Sequence, residues 1–216
     1  NVSGCYNTAV GHQALTANTT GNNNVALGYK ALFTNTTGNH NIAVGLDSLR
    51  VNVTGYSNTA VGYNALRLNT VNYNTAIGYK TLTSNTTGQQ NTALGNDALR
   101  YNTTGQYNVA VGNGSLMSNT TGNFNVAIGS CALQENTTGF ENNGIGYKAL
   151  CSNTTGRFNV GIGTEAGLSN TTGSANVVLG QCSFRNSSVG SSNVVIGHQA
   201  MFAGSGTIQN NVAIGT

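Results

Sequence analysis

Two hundred and sixteen residues with no Pro, no Trp, thirty Gly and only 6% charged side chains do not describe an ordinary globular enzyme; they describe a repetitive structural chain. The net charge of +3, from eight Lys and Arg against five Asp and Glu, is too thin and dispersed to neutralise a phosphate backbone, so no nucleic-acid partner is expected. No apolar run approaches the roughly 20 residues of a membrane span, and a chain opening on Asn1 with neither Met nor signal peptide reads as a mature product or an excerpt.

The period is plain from the first unit onward. Units begin at Asn1, Asn18, Asn35, Asn52, Asn69, Asn85, Asn102, Asn119, Asn136, Asn153, Asn170, Ser187 and Ser205, in steps of 17 with one of 16 and one of 18. Each reads NTTG, two variable residues, Asn, an apolar residue or Thr, a small residue, an aliphatic, Gly, two variable residues, Ala, Leu and two more. Such units are too short for packed helix pairs, and runs such as VAVG and VAIG between Gly and Asn fit short strands joined by turns. The expected fold is all-β, a parallel β-solenoid (β-roll) of about 17-residue coils, with residues 1–216 forming one repeat domain of twelve complete coils plus a partial one. At about 4.8 Å per coil the rod should be roughly 60 Å long.

Within each unit an aliphatic closes the strand: Val10, Leu27, Val44, Val61, Ile77, Leu94, Val111, Ile128, Ile145, Ile162, Leu179, Ile196 and Ile214. This row is expected to face a core together with the residues two earlier (Val25, Ile42, Val109, Val126, Val160), while the intervening small residue, mostly Ala, points away. The Leu near the end of each unit, from Leu15 to Leu150, should supply the opposite wall. Register evidence comes from Lys30, Lys80 and Lys148, each followed 17 residues later by an acid, Asp47, Asp97 and Glu165. Arg50 and Arg67 are like-charge neighbours at another position, on an edge expected to be solvated. The Asn before the strand recurs in every unit, at Asn7, Asn24, Asn41, Asn58, Asn74, Asn91, Asn108, Asn125, Asn142, Asn159, Asn176, Asn193 and Asn211. Stacked coils would turn that row into a structural amide ladder. The Gly after the strand, Gly11 to Gly215, should take a positive φ or admit a close backbone approach.

The strings NTAVG, NVAIG and NVALG, followed by AL and NTTG, resemble the repeats of tail-fibre-type proteins of phages and bacteria, and are similar to the NSVAIG-type repeats in the heads of trimeric autotransporter adhesins. The resemblance spans essentially the whole chain. It implies a parallel β-roll, left-handed in the adhesin heads, commonly assembled as three chains around an axis and displayed outside a cell or on a virion. The longer unit and the NTTG turn depart from the adhesin pattern. The Ala row suits either a tight contact between chains or a narrow single-chain coil.

Ten units place an N-x-S/T sequon in the same turn, at Asn1, Asn18, Asn35, Asn52, Asn85, Asn102, Asn119, Asn136, Asn153 and Asn170. These are candidate N-glycosylation sites, although Asn, Thr and Gly are also plain turn formers; Asn113 and Asn186 add sequons elsewhere. Aromatics form two partial rows, Tyr6, Tyr73, Tyr107, Phe124 and Phe158, and Tyr29, Tyr63, Tyr79 and Tyr147, which either bind sugars or stack on one another. Among Cys5, Cys131, Cys151 and Cys182 only Cys131 and Cys151 lie in adjacent coils, and His12, His40 and His198 are scattered, so neither a metal nor a cofactor is expected. Five acids spread over thirteen units give no convergent catalytic set, and no enzyme is expected. The reading is a structural protein: a stiff extracellular, cell-surface or virion-surface fibre shaft, associating end to end or as a trimer, with glycans on the NTTG turns or as surface ligands. The alternatives are an adhesin head binding host glycan or matrix, for which the irregular stretch Ser183 to Gly206 is the place to look, and an ice-binding solenoid using the row from Thr20 to Thr172.

Overall fold

The computed structural model describes residues 2–201 and 208–215. Its strands are β1 (Thr8–Val10), β2 (Val25–Leu27), β3 (Ile42–Val44), β4 (Thr59–Val61), β5 (Thr75–Ile77), β6 (Thr92–Leu94), β7 (Val109–Val111), β8 (Val126–Ile128), β9 (Asn143–Ile145), β10 (Val160–Ile162), β11 (Val177–Leu179), β12 (Val194–Ile196) and β13 (Val212–Ile214). They form one parallel 13-stranded sheet in chain order, with no helix among the described residues. Each strand pairs only with its sequence neighbours, in register, as in Val25 with Ile42, Ala26 with Ala43 and Leu27 with Val44. The short and long units keep the register too, Thr59 opposing Thr75 and Val194 opposing Val212. The lost or gained residue is absorbed outside the strand, because slipping a strand by one would turn its side chains over. The chain is a β-solenoid.

The facing of the strands is the reverse of the expectation from the aliphatic row. The middle residue points inward: Ala26, Ala43, Ala60, Ala76, Ala93, Ala110 and Ala127 are fully buried, while Leu27 and Ile128 on the flanks remain 45% and 40% exposed. The cause is the narrowness of the coil. Leu32, Leu49, Leu66, Leu82, Leu99, Leu116, Leu133 and Leu150 pack directly behind the sheet as a fully buried column, and the Asn rows fill the rest. Little more than a methyl fits opposite them. Even at Gly144 a Cβ would sit 3.1 Å from Leu133 Cγ, and at Gly161 only 2.7 Å from Leu150 Cγ. Burying one such Leu is worth about 1.5–3 kcal/mol, so the Leu column, and not the strand aliphatics, carries the core.

The core changes character once. Up to Leu150 it is an Ala and Leu stack; from Ala166 onward a separate cluster contains Val178, Phe184 and Val195. Between them Gly161 replaces the strand Ala and Gly167 replaces the Leu. Leu150 leans into the vacated space, 2.8 Å by its Cδ2 from where a Gly167 Cβ would be.

The corners rest on left-handed backbone. In each regular coil three positions, exemplified by Asn23, Lys30 and Leu32, have φ of 56°, 53° and 50°. Few of these residues are the Gly or Asn that tolerate this region best, so the strain is offset by bonds between coils: Lys30 N–H donates to His12 O at 3.0 Å and Leu32 N–H to Ser48 O at 3.0 Å. The Gly after each strand combines both expected features. At Gly129, φ is 129° and a Cβ would lie 2.5 Å from Gly146 O.

Register holds at the charged positions, but the expected Lys–acid pairs do not form. Asp47 pairs with Arg50 at 3.7 Å and Asp97 with Arg100 at 3.3 Å within one coil, while Glu165 reaches Arg185 at 3.0 Å. Lys30, Lys80 and Lys148 instead place Nζ over the ring of the preceding Tyr, at 5.0, 5.0 and 5.3 Å. An exposed ammonium gains little from either partner, so the short reach to the adjacent ring decides.

Candidate functional surface

The recurrent polar rows turn inward. Along the pre-strand row from Asn24 to Asn211 each backbone N–H donates to the Oδ1 one coil earlier, and each Nδ2 does the same except that of Asn74, which donates to Asn69 Oδ1 and Gly88 O. Asn108 N–H and Nδ2 donate to Asn91 Oδ1 at 3.0 and 3.1 Å, and the same Nδ2 donates to Gly122 O at 2.9 Å. The backbone link runs unbroken from Asn24 onto Asn7 to Asn211 onto Asn193, with Asn41, Asn58, Asn74, Asn125, Asn142, Asn159 and Asn176 between them.

The NTTG asparagines, expected as turn formers and candidate glycosylation sites, form a second interior ladder. Asn18, Asn35, Asn52, Asn85, Asn102, Asn119, Asn136, Asn153 and Asn170 are at most 1% exposed. Asn35 Nδ2 donates to Asn18 Oδ1 at 2.9 Å and to Gly38 O at 3.1 Å, and Asn119 Nδ2 to Asn102 Oδ1 at 2.8 Å and Gly122 O at 3.0 Å. A sugar on Nδ2 would have to replace these interior bonds, so the folded coil leaves no room for glycans at these candidate sites; Asn1 lies outside the described residues. The signal that could have marked them as interior is their three-residue spacing to a Gly with no room for a Cβ: at Gly38 it would meet both Asn35 Oδ1 and Gly55 O. Where the repeat lapses the ladder does too. After Asn52 comes the shortened unit, where Asn69 Nδ2 donates to Val71 O at 2.8 Å and leaves Asn52 Oδ1 aside, while Asn69 Oδ1 accepts from both Asn85 Nδ2 at 2.7 Å and Asn74 Nδ2 at 3.1 Å. Asn52 Oδ1 and, before Ser187, Asn170 Oδ1 are left buried with no partner.

Aromatics of the two rows stack coil on coil: Tyr107 on Phe124 with centroids 4.8 Å apart, Tyr63 on Tyr79 at 5.2 Å, and His12 on Tyr29 at 5.5 Å. All four cysteines are free thiols. Burial, followed by the neighbouring Cys131, pushes the Cys151 thiol up to about 11, which keeps it protonated and unreactive at neutral pH. Among the described residues no three metal-ligating side chains converge and no cleft opens. Glu135 and Glu141 are exposed on either side of their turn. The far end of the irregular stretch, 202–206, lies outside the described residues.

One continuous surface stands out: the outward face of the sheet. Its two columns are the strand flanks, with Val10, Leu27, Ile77, Leu94, Ile128 and Ile162 among the exposed aliphatics of one, and Val25, Ile42 and several Thr in the other. No charged residue occurs in either column, and Asn143 is the single amide. Most proteins keep exposed apolar patches to a few hundred Å²; here the patch follows the sheet over all thirteen strands. No protein-family model, curated protein or solved structure matches the chain.

Proposed function

We propose that this β-solenoid is a structural repeat protein, the stiff shaft of an extracellular fibre of the kind its NTTG and NVAIG strings resemble. The observation that carries the reading is the continuity of bonding along the rod axis. Thirteen strands in register, an unbroken pre-strand Asn ladder and backbone bonds between successive coils at the corners all run parallel to that axis. Bending the rod would stretch many of these bonds together on one side. A section built in this way resists bending and leaves few unbonded backbone segments for a protease, which suits a load-bearing element outside a cell or virion. The interior is filled by side chains, and the regular surface offers a repeated face in place of one singular recess, which favours the shaft over an adhesin head with a local receptor site. The shaft needs no glycan on its NTTG turns.

Atomic force microscopy of purified rods, combined with limited proteolysis, tests the reading. Straight particles of about 5 Å per coil that resist trypsin at their eight Lys and Arg residues are expected. Bent, rapidly cleaved chains would overturn it.

A further inference from the structure

We infer that the outward sheet face is an interface between two copies of this chain, packed face to face with their rods antiparallel. The face is flat in composition and uncharged throughout. Twelve steps of about 4.8 Å make it about 58 Å long, and two outward side chains per strand make it about 12 Å wide. That is about 700 Å² per copy, close to the roughly 800 Å² per partner of a stable protein interface. One face covered by its own equivalent is an isologous contact, which closes after two copies.

The polar residues on the ribbon choose the direction. Its one amide is Asn143 on β9, and its Thr block is Thr59, Thr75 and Thr92 on β4, β5 and β6. Two rods related by a two-fold axis along β7 oppose β9 of one to β5 of the other, so each Asn143 meets a Thr75 hydroxyl, twice in the dimer. Each column then faces its own equivalent, and the remaining pairs are aliphatic or Thr on aliphatic. Rods paired in the parallel sense would set the two columns across from each other and press Asn143 against Ile145, leaving its amide without a hydrogen-bonding partner at a cost of about 1–3 kcal/mol for each buried group. The antiparallel pairing satisfies both ends. It goes beyond the shaft reading and stands or falls separately: a solitary stiff rod would overturn the pairing and leave the shaft intact.

Light scattering coupled to size exclusion, together with cysteine cross-linking, is the test. The wild-type chain is expected to run at twice its 22.1 kDa mass. The double variant Ile77→Lys/Ile128→Lys, altered only on the outward columns, should halve that mass with the far-ultraviolet circular dichroism unchanged. With a short bis-maleimide, which spans the roughly 10 Å between packed sheets that a disulfide cannot, Thr75→Cys/Asn143→Cys should give covalent dimer well above the wild-type background from its native thiols, while Asn143→Cys alone should not. A wild-type monomer at tens of micromolar, a mass of three chains, or ready cross-linking of Asn143→Cys by itself would each overturn the proposal. The wild-type mass decides the matter even if a variant fails to fold.

Discussion

Asn108 shows what a single repeat residue does. Its Oδ1 accepts from Asn125 N–H and Nδ2 at 3.0 and 3.1 Å, while its own Nδ2 serves Asn91 and Gly122. Asn108→Ala strips partners from several buried groups at once, each costing about 1–3 kcal/mol when left unsatisfied. We expect a loss of roughly 3 kcal/mol, measured by the shift of the denaturation midpoint in guanidinium; a loss below about 0.5 kcal/mol would show that water or backbone shifts replace the ladder. The row of Asn was legible in the sequence because identical residues at a fixed period must stack. That the sequon Asn is equally interior was not, because Asn in a turn ordinarily bonds its own backbone and faces water. Here it does bond locally, to the Gly three residues on, but the next coil covers it.

At the scale of one coil, the strand and the Leu column compete for the same interior. Leu116 is fully buried and Ile128 on the outward column is 40% exposed. Leu116→Ala should therefore cost about 2–5 kcal/mol, whereas Ile128→Thr should change the stability of a single rod by no more than about 0.5 kcal/mol. Thermal or chemical unfolding of the two variants, at concentrations where the chain is monomeric, checks both. The reverse order would mean that the aliphatic row faces the core after all. Period and alternation were readable in the sequence, but the sign of the alternation was not. Hydrophobicity favours the larger side chain inside, and only the depth of the coil, set by how closely Leu116 and its equivalents approach the sheet, leaves room for Ala alone. The left-handed corners were hidden for a related reason: residues such as Lys30 and Leu32 carry no turn signal, and neighbouring coils hold them there.

Across the whole rod, contacts link each coil only to its neighbours, so stability is a chain of local terms and the weakest coil decides where the stack opens. That coil holds Gly161 and Gly167, between the apolar cluster ending at Leu150 and the one beginning at Ala166. Its missing Leu side chain removes an apolar contribution of about 1.5–3 kcal/mol, while its backbone bonds persist, as in Gly167 N–H to Ser183 O at 2.9 Å. Native-state hydrogen exchange should resolve two cooperative units that part in this coil, the Val178 and Phe184 side exchanging separately from the Ala and Leu stack. A single unit with uniform protection would show that backbone and Asn ladders dominate the apolar core.

The solenoid, its period, its register and the pre-strand Asn row were all readable from the repeat, because identical residues at an interval of about 17, with short β-branched runs between Gly and Asn, stack coil on coil. What lies inside was settled by packing across the coil. Which face of a three-residue strand is buried, whether an NTTG Asn meets solvent, and whether Lys80 finds an acid or a ring all depend on distances across the coil, and period carries no information about those distances. The outward aliphatic ribbon is the consequence: a coil too narrow to house its own larger side chains presents them to whatever lies alongside.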